Sequence, residues 1–92
     1  MKHTEIYYKS WCPYSRRALR LLDRKGVNYT AIDVTEDRER ELEMRERASR
    51  TSVPQIFIGD VHVGGYDDIA ALDKTGELDR LLAGNRQTEK AA

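Results

Sequence analysis

The chemistry open to this chain centres on one residue. Cys12 is the single cysteine among 92 residues, and it stands in the run Trp11-Cys12-Pro13-Tyr14-Ser15. A proline directly after the cysteine suits the first position of a helix, where its missing N–H loses nothing. Cys12 then falls at the helix cap, beside free backbone N–H groups and the positive end of the helix dipole. Ser15, three residues on, can turn its hydroxyl and amide back toward the sulfur. Both features favour thiolate over thiol, and the thiolate is the attacking species in disulfide exchange. The plainer reading is a buried, inert cysteine. The flanking Pro13, Ser15 and basic residues suit an exposed helix start instead.

A lone thiol limits the route. Cys12 can attack a disulfide and become half of a mixed one, but the chain holds no second thiol to resolve it. The resolving thiol must come from solution, and glutathione is the abundant cytosolic choice. Other nucleophile schemes fit less well. A Cys–His hydrolase needs His3 or His62 beside the sulfur. Two histidines and one cysteine make no zinc site, so no metal site is expected. A phosphatase-type loop needs an arginine six residues after the cysteine, where this chain has Ala18.

Length and composition set the frame for these residues. A chain of this size forms one domain with one modest core. No apolar run approaches membrane-spanning length, the opening MKHTEIYYKS has no secretory h-region, and one cysteine excludes an internal disulfide. The expectation is therefore a cytoplasmic monomer that does not act at a membrane. Formal net charge is zero, yet the charge is segregated. Lys2, Lys9, Arg16, Arg17, Arg20, Arg24 and Lys25 precede Gly26 against only Glu5 and Asp23. This basic excess surrounds Cys12 and raises the local potential for an anion. No basic stripe interleaves with aromatics, so nucleic acid is not expected as a partner.

The elements that must position Cys12 follow from punctuation and period. Glu5 to Tyr8 reads as a first strand, Ser10-Trp11 as a turn, and Pro13 to Gly26 as a helix with Ala18, Leu19, Leu21 and Leu22 on its apolar side. Asn28 to Val34 reads as a second strand. Thr35 is the expected cap of a second helix over about Glu36 to Arg50, with Glu36–Arg40, Glu41–Arg45, Glu43–Arg47 and Glu46–Arg50 as i, i+4 pairs. Leu42, Met44 and Ala48 are its only core candidates. Pro54 opens the apolar strand Gln55 to Ile58, Gly59-Asp60 makes a hairpin turn, and Val61 to Val63 returns. A last helical region starts near Tyr66, breaks at Gly76 and resumes through Leu78, Leu81 and Leu82. The order is β-α-β-α-β-β-α. Residues 1–84 make the domain and 85–92 a polar, flexible tail.

Three segments, WCPYS before a basic helix, TSVPQIFIG in the middle and VGGYDD before the last helix, together resemble a bacterial glutaredoxin across roughly residues 4–83. The resemblance implies a thioredoxin-like α/β fold, a four-stranded mixed sheet flanked by three helices, and reduction of disulfides, especially glutathione mixed disulfides on proteins or small molecules, with glutathione as cosubstrate. It implies that Cys12 carries the glutathionyl group, with Tyr14 and Ser15 flanking it. Lys9 would meet the glycine carboxylate of glutathione. Val53, before a Pro54 that is cis in this family, would pair its backbone with the cysteinyl part of glutathione, like an added strand. Gly64 and Gly65 would admit the ligand closely, and Asp67 and Asp68 would hold its γ-glutamyl end. Two departures stand out: Ser15 occupies a position where many members have a second cysteine, and Tyr66 replaces a cysteine common in the Gly-Gly-x-Asp-Asp segment. With one thiol, a monothiol route is expected. Two rival functions are a [2Fe–2S] cluster bound by Cys12 of two chains with two glutathiones, against which Pro13-Tyr14 argues by resemblance, and a plain adaptor in which Cys12 is incidental.

Overall fold

The computed structural model describes residues 3–83; the expected tail, 85–92, lies outside them. The elements in chain order are β1 (Thr4–Tyr8), α1 (Pro13–Lys25), β2 (Tyr29–Asp33), α2 (Arg38–Ala48), β3 (Gln55–Ile58), β4 (Val61–Gly64), α3 (Tyr66–Thr75) and α4 (Glu77–Leu82). The expected third helical region is thus two helices. Gly76 sits in the left-handed region at φ 83° and separates them, a conformation that suits glycine.

The sheet order is β2-β1-β3-β4. β1 runs parallel to β2, with α1 as the crossover, and antiparallel to β3, which pairs antiparallel with β4. The fold is therefore the expected thioredoxin-like α/β arrangement with a mixed sheet. Side chains alternate across it. Ile6, Ile56 and Ile58 join Ala18, Leu21 and Leu22 of α1, Ile69 of α3, and Leu78 and Leu82 of α4 on one face. Tyr7, Ile32 and Phe57 join Met44 and Ala48 of α2 on the other. Because β3 is covered on both faces, all four of its residues are buried, which is why Gln55 to Ile58 is almost continuously apolar.

α2 departs most from the sequence reading. Its cap is Asp37, whose carboxylate accepts the Arg40 N–H at 3.1 Å. Thr35 instead bonds Asp33 and accepts the Ser10 N–H at 3.0 Å. Leu42 is 47% exposed; it precedes Met44 by two residues, which places it about 200° round the helix from the core face. Of the four expected i, i+4 pairs, only Glu41–Arg45 is among the ion pairs found. Glu36 precedes the helix, Arg40 reaches Glu43, Arg47 reaches Glu5, and Arg50 leaves for Asp68. An i, i+4 pair contributes only about 0.2–0.5 kcal/mol, so partners on other elements displace it readily.

Candidate active site

Strand register brings the three singled-out segments to one end of the sheet. Tyr7 pairs with Gln55, so the chain leaving β1 toward Cys12 emerges where Val53 and Pro54 enter β3. Ile56 pairs with Gly64, so β4 delivers Gly64 and Gly65 to the same end, and α3 starts there. The two antiparallel neighbours of β3, β1 and β4, thus bring residues 9–15 and 64–68 to the end where residues 50–54 enter β3.

Cys12 is the residue capping α1, with Pro13 at its first position. The loop before it is tied down twice: the Cys12 N–H donates to the Lys9 carbonyl at 3.1 Å, and the Lys9 N–H donates to the Ser15 hydroxyl at 3.2 Å. Ser15 is fully buried and its hydroxyl serves Lys9, so it braces the loop that carries the sulfur. The expected exposed helix start is corrected here: Cys12 is only 7% exposed, because the Val53–Pro54 segment covers it. Its Sγ lies 3.9 Å from the Val53 carbonyl oxygen, and the Val53–Pro54 peptide is cis.

Beside this sulfur runs an open groove of about 220 Å³, lined by Tyr14, Val53, Pro54, Gly65, Asp67 and Asp68, together with Arg50, Ser52 and Tyr66. Tyr14 is 51% exposed and its ring stands 6.4 Å from that of Tyr66. Asp68 closes the far side. Its Oδ2 accepts the Gly65 N–H at 2.9 Å and an Arg50 N–H at 3.1 Å. These contacts, the Gly65 N–H first and the guanidinium second, hold its carboxyl below the usual carboxylate range. Gly64 makes this possible. Its φ is +116°, and a Cβ there would stand 2.2 Å from Asp68 Oδ2. Asp67 is exposed at the first turn of α3.

Six of the expected residues thus line one groove: Tyr14, Val53, Pro54, Gly65, Asp67 and Asp68. Cys12 and Ser15 are not among its lining residues: Cys12 lies against the Val53 carbonyl, and Ser15 is buried behind it, bonded to the Lys9 N–H. Lys9 is elsewhere engaged, with Nζ 3.3 Å from Glu41 and 5.8 Å from the centre of the Trp11 ring. Sequence reasoning missed Arg50, which it assigned to Glu46, and Ser52. The available signal was position: both lie within three residues before Val53-Pro54. Ser52 is held from below, since Gln55 Nε2 donates to its carbonyl at 3.0 Å and its hydroxyl at 3.2 Å. Those two bonds orient the Gln55 amide so that Oε1 accepts from His62 Nε2 at 2.7 Å. His62 stacks on Phe57 with ring centres 4.8 Å apart. Among the described residues, no group of three or more His, Cys, Asp and Glu side chains is placed to hold a metal ion, and no helix is long and apolar enough to cross a membrane.

The glutaredoxin family's sequence model matches residues 4–63. A glutaredoxin of Pseudomonas aeruginosa is 49% identical over 78 residues, covering 85% of this chain and 93% of the relative. Glutaredoxin 3 of Escherichia coli K12 is 48% identical over 82 residues, covering 89% and 99%. Among solved structures, the solution structure of a glutaredoxin from Brucella melitensis is 50% identical, superposes with a TM-score of 0.77, and covers 87% of each chain.

Proposed function

From the premise that this chain belongs to the glutaredoxin family, and so is a glutathione-dependent thiol–disulfide oxidoreductase, we propose that it works by a monothiol route on glutathione mixed disulfides, with Cys12 as sole nucleophile. The observation that carries this reading is the placement of the chain's only thiol at the cap of α1, against the carbonyl of Val53, a residue that lines the open groove of about 220 Å³.

In the first step the Cys12 thiolate attacks the glutathione sulfur of the substrate. The substrate's own sulfur leaves with the electron pair of the broken S–S bond and takes a proton from solvent. Cys12 now carries the glutathionyl group. In the second step the thiolate of a free glutathione attacks that glutathionyl sulfur, glutathione disulfide departs, and Cys12 is restored as thiolate. One disulfide is consumed and one is formed, with glutathione as the reductant. The first turn of α1 aids both steps, since its unpaired backbone N–H groups and dipole favour negative charge at the cap and no acidic residue stands there.

The groove supplies recognition. Val53 offers main-chain groups to the tripeptide in the manner of an added strand, next to Pro54. The γ-glutamyl end lies at the start of α3, its carboxylate on the N–H groups of the helix's first turn, its ammonium toward Asp67 and Asp68. Tyr14 flanks the sulfur. Ser15 keeps the loop in register. Lys9, whose carbonyl accepts the Cys12 N–H, takes the glycine carboxylate by exchanging Glu41 for it. Because these contacts recognise glutathione, the other half of the substrate is free to vary, and glutathionylated proteins as well as small mixed disulfides fall within reach. The proposed setting is the cytoplasm, as a monomer.

The test is turnover of the mixed disulfide of glutathione and 2-mercaptoethanol, coupled through glutathione reductase to NADPH. Folded protein should turn it over with ping-pong kinetics, and Cys12→Ser should lose all activity. Folded protein with no rate above background would refute the proposal.

A further inference from the structure

The groove and its chemistry leave one prominent feature unused: the outer face of α1. Arg16, Arg17, Arg20 and Arg24 are all exposed, opposite the buried Ala18, Leu21 and Leu22. Their three- and four-residue spacings put them on one side of the helix. Among the described residues none of the four has a carboxylate partner. Of the four side chains only that of Arg17 meets a ring, Tyr14, at 5.6 Å. The one acid of α1, Asp23, accepts the Tyr29 hydroxyl instead, at 2.7 Å. By contrast, Arg40, Arg45, Arg47, Arg50 and Arg80 each reach a carboxylate.

Helix stability does not account for this stripe. α2, α3 and α4 each carry two acidic residues in the first turn, where acids are stabilising, and α1 carries none. Arg24 and Lys25 sit at the C-terminal end, where cations are stabilising; Arg16 and Arg17 sit toward the N-terminal end, where they are not. Solubility does not account for it either, because the whole chain is neutral and these four arginines share one helix face without an ion-paired acid among the described residues. The stripe begins one turn from Cys12. Trp11 and Tyr14 stand beside that residue 63% and 51% exposed, a contact area with no buried role.

We propose that this face docks the protein half of the substrate, and that preferred substrates carry their glutathionylated cysteine beside a short acidic segment. The inference rests on the oxidoreductase reading above and names its substrate class. From Arg16 to Arg24 the stripe runs about 12 Å along the helix, the length of roughly four residues of extended chain. An Asp/Glu-rich segment of that length meets the arginines while its modified cysteine enters between Trp11 and Tyr14. Exposed pairs of this kind act through association rate and salt-sensitive affinity more than through fixed geometry. A nucleic acid is the less fitting occupant, because the stripe lies on a convex helix face with both exposed aromatics at one end.

The test uses three glutathionylated peptides of equal length, with acidic, neutral and basic flanks, and the 2-mercaptoethanol mixed disulfide as a reference lacking a peptide. At low salt the acidic peptide should exceed the neutral one in kcat/KM by roughly tenfold and the basic one by more, and 0.5 M salt should erase the order. The double reversal Arg20→Glu/Arg24→Glu, which leaves the turn beside Cys12 untouched, should invert the peptide order and leave the reference within about twofold. Docking without chemistry is read from binding of the unmodified acidic peptide to Cys12→Ser, which should vanish on the same reversal. Equal rates for the three peptides with normal reference turnover would overturn the docking proposal alone, as would an acidic preference that survives the reversal. Failure of the reference substrate would overturn the oxidoreductase reading, while the binding arm would still decide whether the face selects acidic chains. Stronger binding of polyuridylate than of the acidic peptide would overturn the proposal in favour of nucleic acid.

Discussion

Gly64→Ala is the substitution whose effect follows most directly from the geometry. Two penalties apply. The backbone at residue 64 has φ +116°, where an L side chain is strained, and such positions cost about 1–3 kcal/mol. The added Cβ would also meet Asp68 Oδ2 at 2.2 Å and Cγ at 2.8 Å, so the Asp68 side chain must swing away. It then loses the Gly65 N–H, a cap interaction worth about 1 kcal/mol. Its ion pair with Arg50 is nearly half exposed on both sides and adds little. The sum is roughly 2–4 kcal/mol, which for a domain of this size lowers the thermal midpoint by roughly 10–30 °C. Thermal and urea unfolding measure it. Asp68→Ala alone should cost about 1 kcal/mol, the cap term. In the double variant the collision is gone and the cap is already lost, so the combined penalty should fall short of the sum of the singles by about that 1 kcal/mol. Additive singles, or a Gly64→Ala midpoint within a few degrees of the parent, would refute the claim that Asp68 is held where only glycine lets it stand.

Ser15→Ala removes the fully buried hydroxyl that accepts the Lys9 N–H and should destabilise by about 1–2 kcal/mol in urea unfolding, while Ser15→Thr, which keeps a hydroxyl, should recover part of the loss. Asp68→Asn keeps a cap acceptor but removes the charge that pairs with Arg50; stability should change by less than about 1 kcal/mol, and KM for glutathione should rise with kcat little altered in the coupled assay. Burial first, then the nearby Arg50 charge, holds His62 below the ordinary imidazole value. As pH falls the unfolded chain takes up that proton first, so this contribution is whole above about pH 6.5 and is lost as pH falls toward the lower folded value. The midpoint of unfolding should therefore drop between neutral and mildly acidic pH, with a shallower drop in His62→Asn.

Much of this protein was written in its sequence, and the legible part was local. Pro13, Gly26 and Gly76 placed helix ends because φ restrictions act on single residues. The apolar run of β3 and the periodic leucines of α1 marked buried faces because strand and helix periods act over a few neighbours. The solitary Cys12 and the three quoted segments pointed to the chemistry. What stayed hidden depended on elements distant in the chain. Arg50 faces Asp68 rather than Glu46, and Arg47 leaves Glu43 to lie over Phe57 at 4.1 Å, because a partner presented by another element outweighs a weak pair along the helix. Thr35 lost the cap to Asp37 since β2 and the loop after β1 took its hydroxyl. Lys9 turned to Glu41 since α2 brings that carboxylate within reach. The shielding of Cys12 by Val53 and Pro54 required the antiparallel register of β1 and β3, which composition and spacing do not encode singly. Chain order specified which elements form; their packing chose which side chains meet.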